Sequence, residues 1–239
     1  MADPTINVST WPKVGDVNTF FDTITPEEIA TYSSYWQTLT PEDYLETFDR
    51  WLFAFCSVHT TWEANVRGFE AIRPWVTWYQ DSNELKRRLT ESRIGLQSNR
   101  TRFVAEFCEK YWASPGKYYK QPAENWVTYR NRLVKDILGL GLAKVSFALE
   151  LIYPCAAGVV CLDTHMFQFY GLDQTKHARH YGGLETHWVG HCAAHNVPSP
   201  VARAIYWDRK QRKQDSRYWT YILERPSETG AAAPQLVTP

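Results

Sequence analysis

The amino-acid sequence predicts an all-α protein. Apolar residues recur at three- and four-residue spacing through most of the 239 residues, which is the pattern of amphipathic helices. Strict two-residue alternation is rare, and no Asn-Gly or Asp-Gly dipeptide indicates a β-hairpin. The length fits one large domain or two interlocked lobes and allows a sizeable core.

The first helices are indicated by their start signals. Residues 1–20 lack helical periodicity and are expected to form an arm. Thr25–Glu28 and Thr40–Asp43 each place Thr before Pro and acidic residues, so Thr is the predicted cap and Pro the first helical residue. From Tyr44 to Phe69 the apolar spacing again predicts helices.

Seven further periodic segments follow, and then the pattern stops. They cover about 81–92, 98–112, 124–138, 142–153, 164–170, 184–195 and 199–223. Residues 224–239, which include three Pro and three consecutive Ala, are predicted to be a disordered tail. The folded region is therefore expected at 21–223.

Composition excludes several classes of protein. With 44% hydrophobic and 22% charged residues, the chain lies within the range of globular proteins. No apolar run approaches the roughly 20 residues of a membrane-spanning helix, and no signal segment opens the chain. The five cysteines are scattered without metal-ligand spacing, so we expect reduced thiols, an intracellular location and no metal or other cofactor.

The net charge of zero conceals a polarity along the chain. Residues 1–50 hold nine acidic and two basic side chains, a balance of −7, so the remainder carries +7. Basic residues cluster at 86–88, 93–102 and 203–217, where Trp and Tyr are interspersed. Such clusters suggest a polyanion-binding surface, although solvated helix faces are the simpler alternative.

The most informative stretch runs from Leu133 to Gly171. One predicted helix ends at Leu138, Gly139-Leu140-Gly141 forms a tight turn, and the next helix begins at Leu142. The free amides at the start of that second helix suit a phosphate. By itself the turn is weak evidence, because most such matches are plain connections between helices.

About twenty residues later comes the segment LDTHMF at 162–167. A turn of this kind followed by such a segment resembles the helix–hairpin–helix DNA glycosylase superfamily, in which the aspartate, here Asp163, is catalytic. Two upstream segments are similar to motifs of the same superfamily, FCSVHTTW at 55–62 and GLQSNR at 95–100. The resemblance covers about 51–195 and implies a two-lobed all-α fold with the substrate cleft between the lobes.

The resemblance also implies domain limits and a partner. The helix–hairpin–helix lobe is expected at about 60–165, and the second lobe from 21–59 together with 166–223. Double-stranded DNA is the implied partner, and we expect a monomer without membrane association. The hairpin residues Gly139, Leu140 and Gly141 are the expected DNA contacts.

Three departures from the superfamily pattern limit the chemistry. Lyase-type members carry a Lys two residues after the hairpin glycine, where this chain has Ala143 followed by Lys144. One residue turns a helical side chain by about 100°, so Lys144 remains a secondary catalytic candidate and β-elimination is disfavoured. His59 replaces the glutamine wedge that fills the gap left by the flipped base, and the iron–sulfur cysteine cluster is missing.

Within the superfamily the chain looks most like phage-encoded amino acid:DNA transferases, also called thymidine aminotransferases or alpha-glutamyl/putrescinyl thymine pyrophosphorylases. The segments that carry this resemblance are YRNR at 129–132, GLGLAK at 139–144, CLDTHM at 161–166 and IYWDRKQ at 205–211. It implies an enzyme that flips 5-phosphomethyl-deoxyuridine out of DNA and replaces the phosphate with the amine of an amino acid or polyamine.

The alternatives are a monofunctional glycosylase that excises a modified or damaged base and a DNA-binding module without catalysis. In the transferase reaction and in the glycosylase reaction alike, the base has to leave the stack of the DNA duplex. Asp163 would activate water or stabilise the developing sugar cation in a glycosylase, and would take a proton from the incoming amine in a transferase. Its simplest structural role is that of a helix N-cap, which is compatible with catalysis.

The remaining candidates each have a structural alternative. Arg100, Arg130 and Arg132 would neutralise a departing phosphate. His165 is expected to hold the loop around the aspartate, and His59 is equally compatible with a DNA wedge or a buried histidine.

Two polar residues and one basic helix complete the candidate set. Gln97 and Asn99 either line the pocket or cap the helix near Ser98, and capping is preferred. Residues 202–218 form an amphipathic helix with basic residues outward, so Arg209 and Lys210 are predicted DNA contacts.

One histidine cluster is predicted to be structural. His187, His191 and His195 share a helix face, but three ligands over two turns span about 12 Å, too far for one ion. We therefore expect packing there rather than a metal. Most Trp and Tyr rings are likewise expected in the core.

Overall fold

The structure is a computed structural model that describes residues 10–213 and 215–224. Its described residues form α-helices and short 3₁₀ turns with no strand, which confirms the all-α prediction. No helix among them is long and apolar enough to cross a membrane. The predicted tail lies outside the described residues except for Glu224. The helices are α1 Val14–Asp22, α2 Pro26–Gln37, α3 Tyr44–Cys56, α4 Trp62–Ile72, α5 Ser82–Glu91, α6 Gln97–Ala113, α7 Trp126–Asp136, α8 Leu142–Ile152, α9 Thr164–Phe169, α10 Gln174–His177, α11 Tyr181–Ala194, α12 Ser199–Gln211 and α13 Arg217–Glu224.

The chain packs as two compact units. Among the described residues, unit 1 combines those up to Thr40 with Leu149–Tyr218, and unit 2 combines Pro41–Ala148 with those from Trp219 to Glu224. Each unit is therefore built from segments distant in sequence. The lobes predicted from the sequence have different limits, near residues 59 and 165, and they remain a prediction.

Three start and stop signals were predicted wrongly. Residues 14–20 belong to α1 rather than to an arm; Val14, Val17 and Phe20 do lie at helical spacing, but the helix has only nine residues and no side-chain cap marks its start. Asp43, not Thr40, caps α3, because its carboxylate accepts from the amide of Glu46 at 2.8 Å. The predicted helix 199–223 is broken after α12 by Arg212, which has a φ of 55°.

Unit 2 is held together by aromatic rings. Phe48 and Trp51 of α3 lie against Phe107 of α6, and Trp75 stacks on Trp112 with ring centres 4.5 Å apart. All five side chains are buried. This confirms that much of the aromatic content serves the core.

Unit 1 places the acidic N-terminal helices against the basic helix α12. The Tyr32 hydroxyl of α2 donates to Asp208 at 2.8 Å, and Arg209 pairs with Glu28. The acidic side chain of Glu28 therefore pairs with a basic side chain of α12 inside this unit.

The histidines of α11 pack against α1, as predicted. The His187 and His191 rings are 4.5 Å apart, and Phe21 stacks on His191 at 5.2 Å. The Tyr170 hydroxyl lies 3.1 Å from His187 Nδ1. Burial, and secondarily the neighbouring His191, lowers the pKa of His187 to about 4 from its usual 6.5.

This histidine predicts a pH-dependent stability. A pKa lower in the folded than in the unfolded chain gives stability that is complete above about 6.5 and lost as the pH falls towards about 4. We expect His187→Gln to flatten the dependence of unfolding free energy on pH in this window by about 1–2 kcal/mol, allowing for solvent screening. Urea unfolding at pH 7.5 and 5.0 measures it, and parallel profiles for both proteins would contradict it.

Candidate functional site

The predicted hairpin is present in unit 2, between α7 and α8. Gly139 has a φ of 90°, and a Cβ atom there would lie 2.2 Å from Cδ2 of Phe103 in α6. Only glycine allows both the left-handed backbone and this close approach. The hairpin and the flanking end of α7 line a surface depression of about 410 Å³.

The other two hairpin residues behave differently from Gly139. Gly141 has no protein atom within 4 Å of a built Cβ, so its space is open. Leu140 is 3% exposed, so its side chain anchors the turn in unit 2, and the predicted contact of this residue with DNA could involve only its backbone. Leu138 and Leu142, by contrast, are exposed on either side of the turn.

Lys144 lies on the first turn of α8 and is half-buried. Its ammonium is 5.5 Å from the ring centre of Phe147, one turn further along the helix. Ala143 occupies the preceding position, also half-buried.

Asp163 lies in unit 1 and caps α9. Its Oδ1 accepts hydrogen bonds from the amides of His165 at 2.9 Å and Met166 at 3.0 Å. Its Oδ2 accepts no hydrogen bond from the described residues, and the side chain is half-buried rather than sealed. The carboxylate is thus fixed through one oxygen and available for chemistry through the other.

Side chains hold the irregular segment that leads to Asp163. The Tyr181 hydroxyl donates to the carbonyl of Val160 at 2.7 Å and accepts from the amide of Leu162 at 3.3 Å. The Ser199 hydroxyl donates to the carbonyl of Val159 at 3.0 Å. Buried backbone groups without a ladder partner require such bonds.

A buried ion pair completes this support. Glu150 of α8 is fully buried and accepts from the Cys161 amide at 2.8 Å and from Arg203 at 2.6 Å and 2.7 Å. Burial lowers the pKa of Arg203, but the charge of Glu150, the hydrogen bond to it and the charges of further neighbours such as Asp163 together outweigh burial, so that this pKa is raised. Neither residue is among the site residues predicted from the sequence. The available signal was a charged residue within the apolar runs of α8 and α12.

His165 and Lys210 lie together beside Asp163. The ammonium of Lys210 is 3.0 Å from Nδ1 of His165, and the Trp207 ring centre is 5.0 Å from that of His165. The Tyr206 hydroxyl donates to the carbonyl of His165 at 3.3 Å. Desolvation lowers the pKa of Lys210, opposed by the charge of Asp163. The structure therefore brings together Asp163, His165 and Lys210 of the predicted set.

The four arginines of the predicted set use their guanidinium groups within the protein. Arg130 donates to Ser146 at 3.1 Å, and Arg132 pairs with Glu124 at 2.6 Å. Arg209 donates to the Thr23 hydroxyl at 2.9 Å as well as to Glu28. The guanidinium of Arg100 donates to backbone carbonyls.

Arg100 joins two turns of unit 2 that expose side chains. Its buried guanidinium donates to the carbonyls of Phe55 and Val58 and, at 3.0 Å, to that of Gly95. The next residues, His59 and Leu96, are exposed with φ values of 47° and 54°. His59 is thus not a buried histidine.

The preferred role of Gln97 and Asn99 as caps is wrong. Helix α6 begins at Gln97, directly after Leu96 in the left-handed conformation, and no side chain caps it. Asn99 is exposed and Gln97 half-buried. A lining role for these two residues remains a prediction.

Comparison with solved structures identifies the fold. The chain is similar to the 8-oxoguanine DNA glycosylase of Thermotoga maritima, with 15% identity, a TM-score of 0.66, and coverage of 84% of this chain and 99% of that one. It is also similar to the 8-oxoguanine DNA glycosylase of Methanocaldococcus jannaschii, with 16% identity, a TM-score of 0.66, and coverage of 84% and 95%. No protein-family model and no curated protein matches the sequence.

These similarities show that the chain has the fold of the helix–hairpin–helix DNA glycosylases. At such identities they show the fold alone. The predicted all-α, DNA glycosylase-like fold is confirmed, and the cleft between two lobes remains a prediction.

The two hairpin glycines give a matched pair of substitutions. Gly139→Ala should destabilise the protein by about 2–4 kcal/mol, because it combines a strained φ with a clash against Phe103. Gly141→Ala should change the free energy of unfolding by less than about 0.5 kcal/mol. If DNA approaches this turn, Gly141→Ala should still weaken duplex binding about tenfold.

Urea unfolding and fluorescence anisotropy with a labelled duplex measure the two effects. Retained affinity of a folded Gly141→Ala protein would show that DNA does not approach the turn.

The buried ion pair predicts a double-mutant cycle. Glu150→Met or Arg203→Met alone should destabilise the chain by about 3–5 kcal/mol, because each leaves the charge of the remaining partner buried and uncompensated. The double variant with Met at both positions should recover part of that loss. Additive destabilisation in urea unfolding would contradict a coupled pair.

Proposed function

We propose that the chain is an enzyme that acts on a nucleobase everted from double-stranded DNA, with Asp163 as the catalytic carboxylate. The observation that carries the proposal is that the two carboxylate oxygens of Asp163 have different surroundings. One oxygen caps α9 and the other has no hydrogen-bond donor among the described residues. This arrangement occurs in a chain with the fold of DNA glycosylases.

The reaction supported best is hydrolysis of the N-glycosidic bond of a modified or damaged base. Both similar structures carry the name of 8-oxoguanine DNA glycosylases. The unpaired oxygen of Asp163 would activate water or stabilise the positive charge that develops on the sugar. With Ala143 at the position of the lyase lysine, we expect base release without strand cleavage.

A second candidate is transfer of an amine onto 5-phosphomethyl-deoxyuridine in DNA, with an amino acid or polyamine as co-substrate. Its support is the resemblance of four sequence segments to the amino acid:DNA transferases and one structural observation. Lys210 provides a cation near Asp163 without a salt bridge among the described residues. Such a cation would neutralise a departing phosphate while Asp163 accepts a proton from the amine.

The products distinguish the two reactions. Duplexes that contain either 8-oxoguanine or 5-phosphomethyl-deoxyuridine are incubated with the protein and a mixture of amines, and the nucleosides are analysed by mass spectrometry. Free base supports the glycosylase, and an amine adduct with released phosphate supports the transferase. Unchanged DNA that is nevertheless retarded in a gel would support a binding module.

Asp163→Asn tests the assignment of the carboxylate. Asn keeps an oxygen for the α9 amides and is about as good an N-cap as Asp, so stability should change by less than about 0.5 kcal/mol. The rate should fall by about 10²- to 10⁴-fold, because the charged oxygen is lost. Asp163→Ala serves as the comparison, since it removes the cap as well and should destabilise by about 1 kcal/mol. An Asn variant with wild-type turnover would exclude Asp163 as the catalytic group.

A further inference from the structure

The contact between Lys210 and His165 fixes which imidazole nitrogen carries the proton. The Lys210 ammonium is a donor with no acceptor lone pair, and its nitrogen lies 3.0 Å from Nδ1 of His165. Two donors cannot share a hydrogen bond, so Nδ1 is the acceptor. The ring proton therefore lies on Nε2, and no described residue accepts a hydrogen bond from it.

The ammonium of Lys210 can donate more hydrogen bonds than it does among the described residues. Its ammonium can donate three hydrogen bonds, of which one goes to His165. The ammonium also lies over the rings of Tyr206 and Trp207, with ring centres 5.9 Å and 5.8 Å from Nζ. These rings offer no carboxylate. The negative charge of Asp163 acts on Lys210, but among the described residues the two do not form a salt bridge.

We propose that Lys210 is a positioning and binding residue that locks His165 in the Nε2–H form, and that the two side chains together form a phosphate subsite beside Asp163. A cation and a neutral N–H donor, both without an anionic partner, match the acceptor oxygens of a phosphate. This inference rests on the proposed function for the origin of the phosphate. In DNA that phosphate belongs either to the backbone next to the everted nucleotide or to a 5-phosphomethyl group on its base.

The first experiment is independent of any reaction. Nitrogen-15 correlation spectra of the histidine rings report which ring nitrogen bears hydrogen, and the spectrum of His165→Gln assigns the signal of His165 among the seven histidines. In the wild-type chain we expect the Nε2–H form, and a perturbation of that signal on titration with inorganic phosphate. Lys210→Met should mix the two ring forms and abolish the response.

The control is Lys213→Met, which removes the same charge from an exposed lysine three residues away. Lys213 does not contact His165, so the wild-type ring form and phosphate response should persist. A Nδ1–H ring in the wild-type chain, or an equal phosphate response in Lys210→Met, would overturn the inference.

The second experiment identifies the source of the phosphate. Duplex binding is measured for wild type and Lys210→Met, with methylphosphonate in place of each phosphate next to the target and with 5-hydroxymethyl in place of 5-phosphomethyl. Lys210→Met should weaken binding of the duplex that carries neither replacement about 10- to 100-fold. The substitution that removes the phosphate bound by Lys210 should then cause no further loss in the variant.

The replacement that couples to Lys210→Met identifies the phosphate. Coupling to a methylphosphonate identifies a backbone phosphate, and coupling to the 5-substituent identifies the group on the base. Additive losses at every position would overturn the subsite. Because the ring spectra need no DNA, failure of the proposed function would leave the tautomer and inorganic phosphate tests standing, so the two failures are distinguishable.

Discussion

The ion pair between Glu150 and Arg203 is the interaction on which the aspartate site of unit 1 depends. The chain between α8 and α9 is irregular, yet its backbone is buried and must be hydrogen-bonded. Glu150 satisfies the amide of Cys161, two residues before Asp163, and Arg203 neutralises Glu150. Tyr181 and Ser199 satisfy the neighbouring carbonyls. Four side chains from three helices therefore fix the position from which Asp163 extends.

The capping role of Asp163 uses only one of its two carboxylate oxygens and leaves the other without a hydrogen-bond donor among the described residues. A carboxylate paired with an arginine would be held firmly but also neutralised. Here the start of α9 supplies two backbone amides to one oxygen, and the positive end of the helix stabilises the negative charge. The nearby cation, Lys210, is instead directed to His165. The site thus keeps separated positive and negative groups within one small region of unit 1.

Much of this molecule follows from its sequence. Long helices with strong apolar periodicity, such as α6 and α7, are close to their predicted limits, and the N-cap role of Asp163 is confirmed. The features that escaped prediction depend either on contacts remote in sequence or on a backbone conformation that the apolar pattern does not indicate. Helix α1 is stabilised by packing against α11 and lacks a cap, and the break after α12 depends on the left-handed Arg212.

The site shows the same limit. Motifs identified Asp163 because its chemistry is local, whereas Glu150 and Arg203 are 53 residues apart and acquire meaning only as a pair. The arginines chosen for their nearness to motifs proved to have protein partners, because sequence proximity does not tell where a long side chain ends. Lys210 was placed among DNA contacts from its helix pattern, but the pattern could not reveal its bond to His165.

The arrangement around Arg100 has a mechanical consequence. A single buried guanidinium anchors the turn that precedes His59 and the turn that precedes Leu96. Each turn also has a bond of its own, from the Ser57 hydroxyl to the carbonyl of Ala54 and from the backbone amide of Arg100 to the carbonyl of Leu96. The guanidinium adds one anchor that is common to both turns, so the loss of this single side chain would loosen the backbone next to His59 and next to Leu96 together.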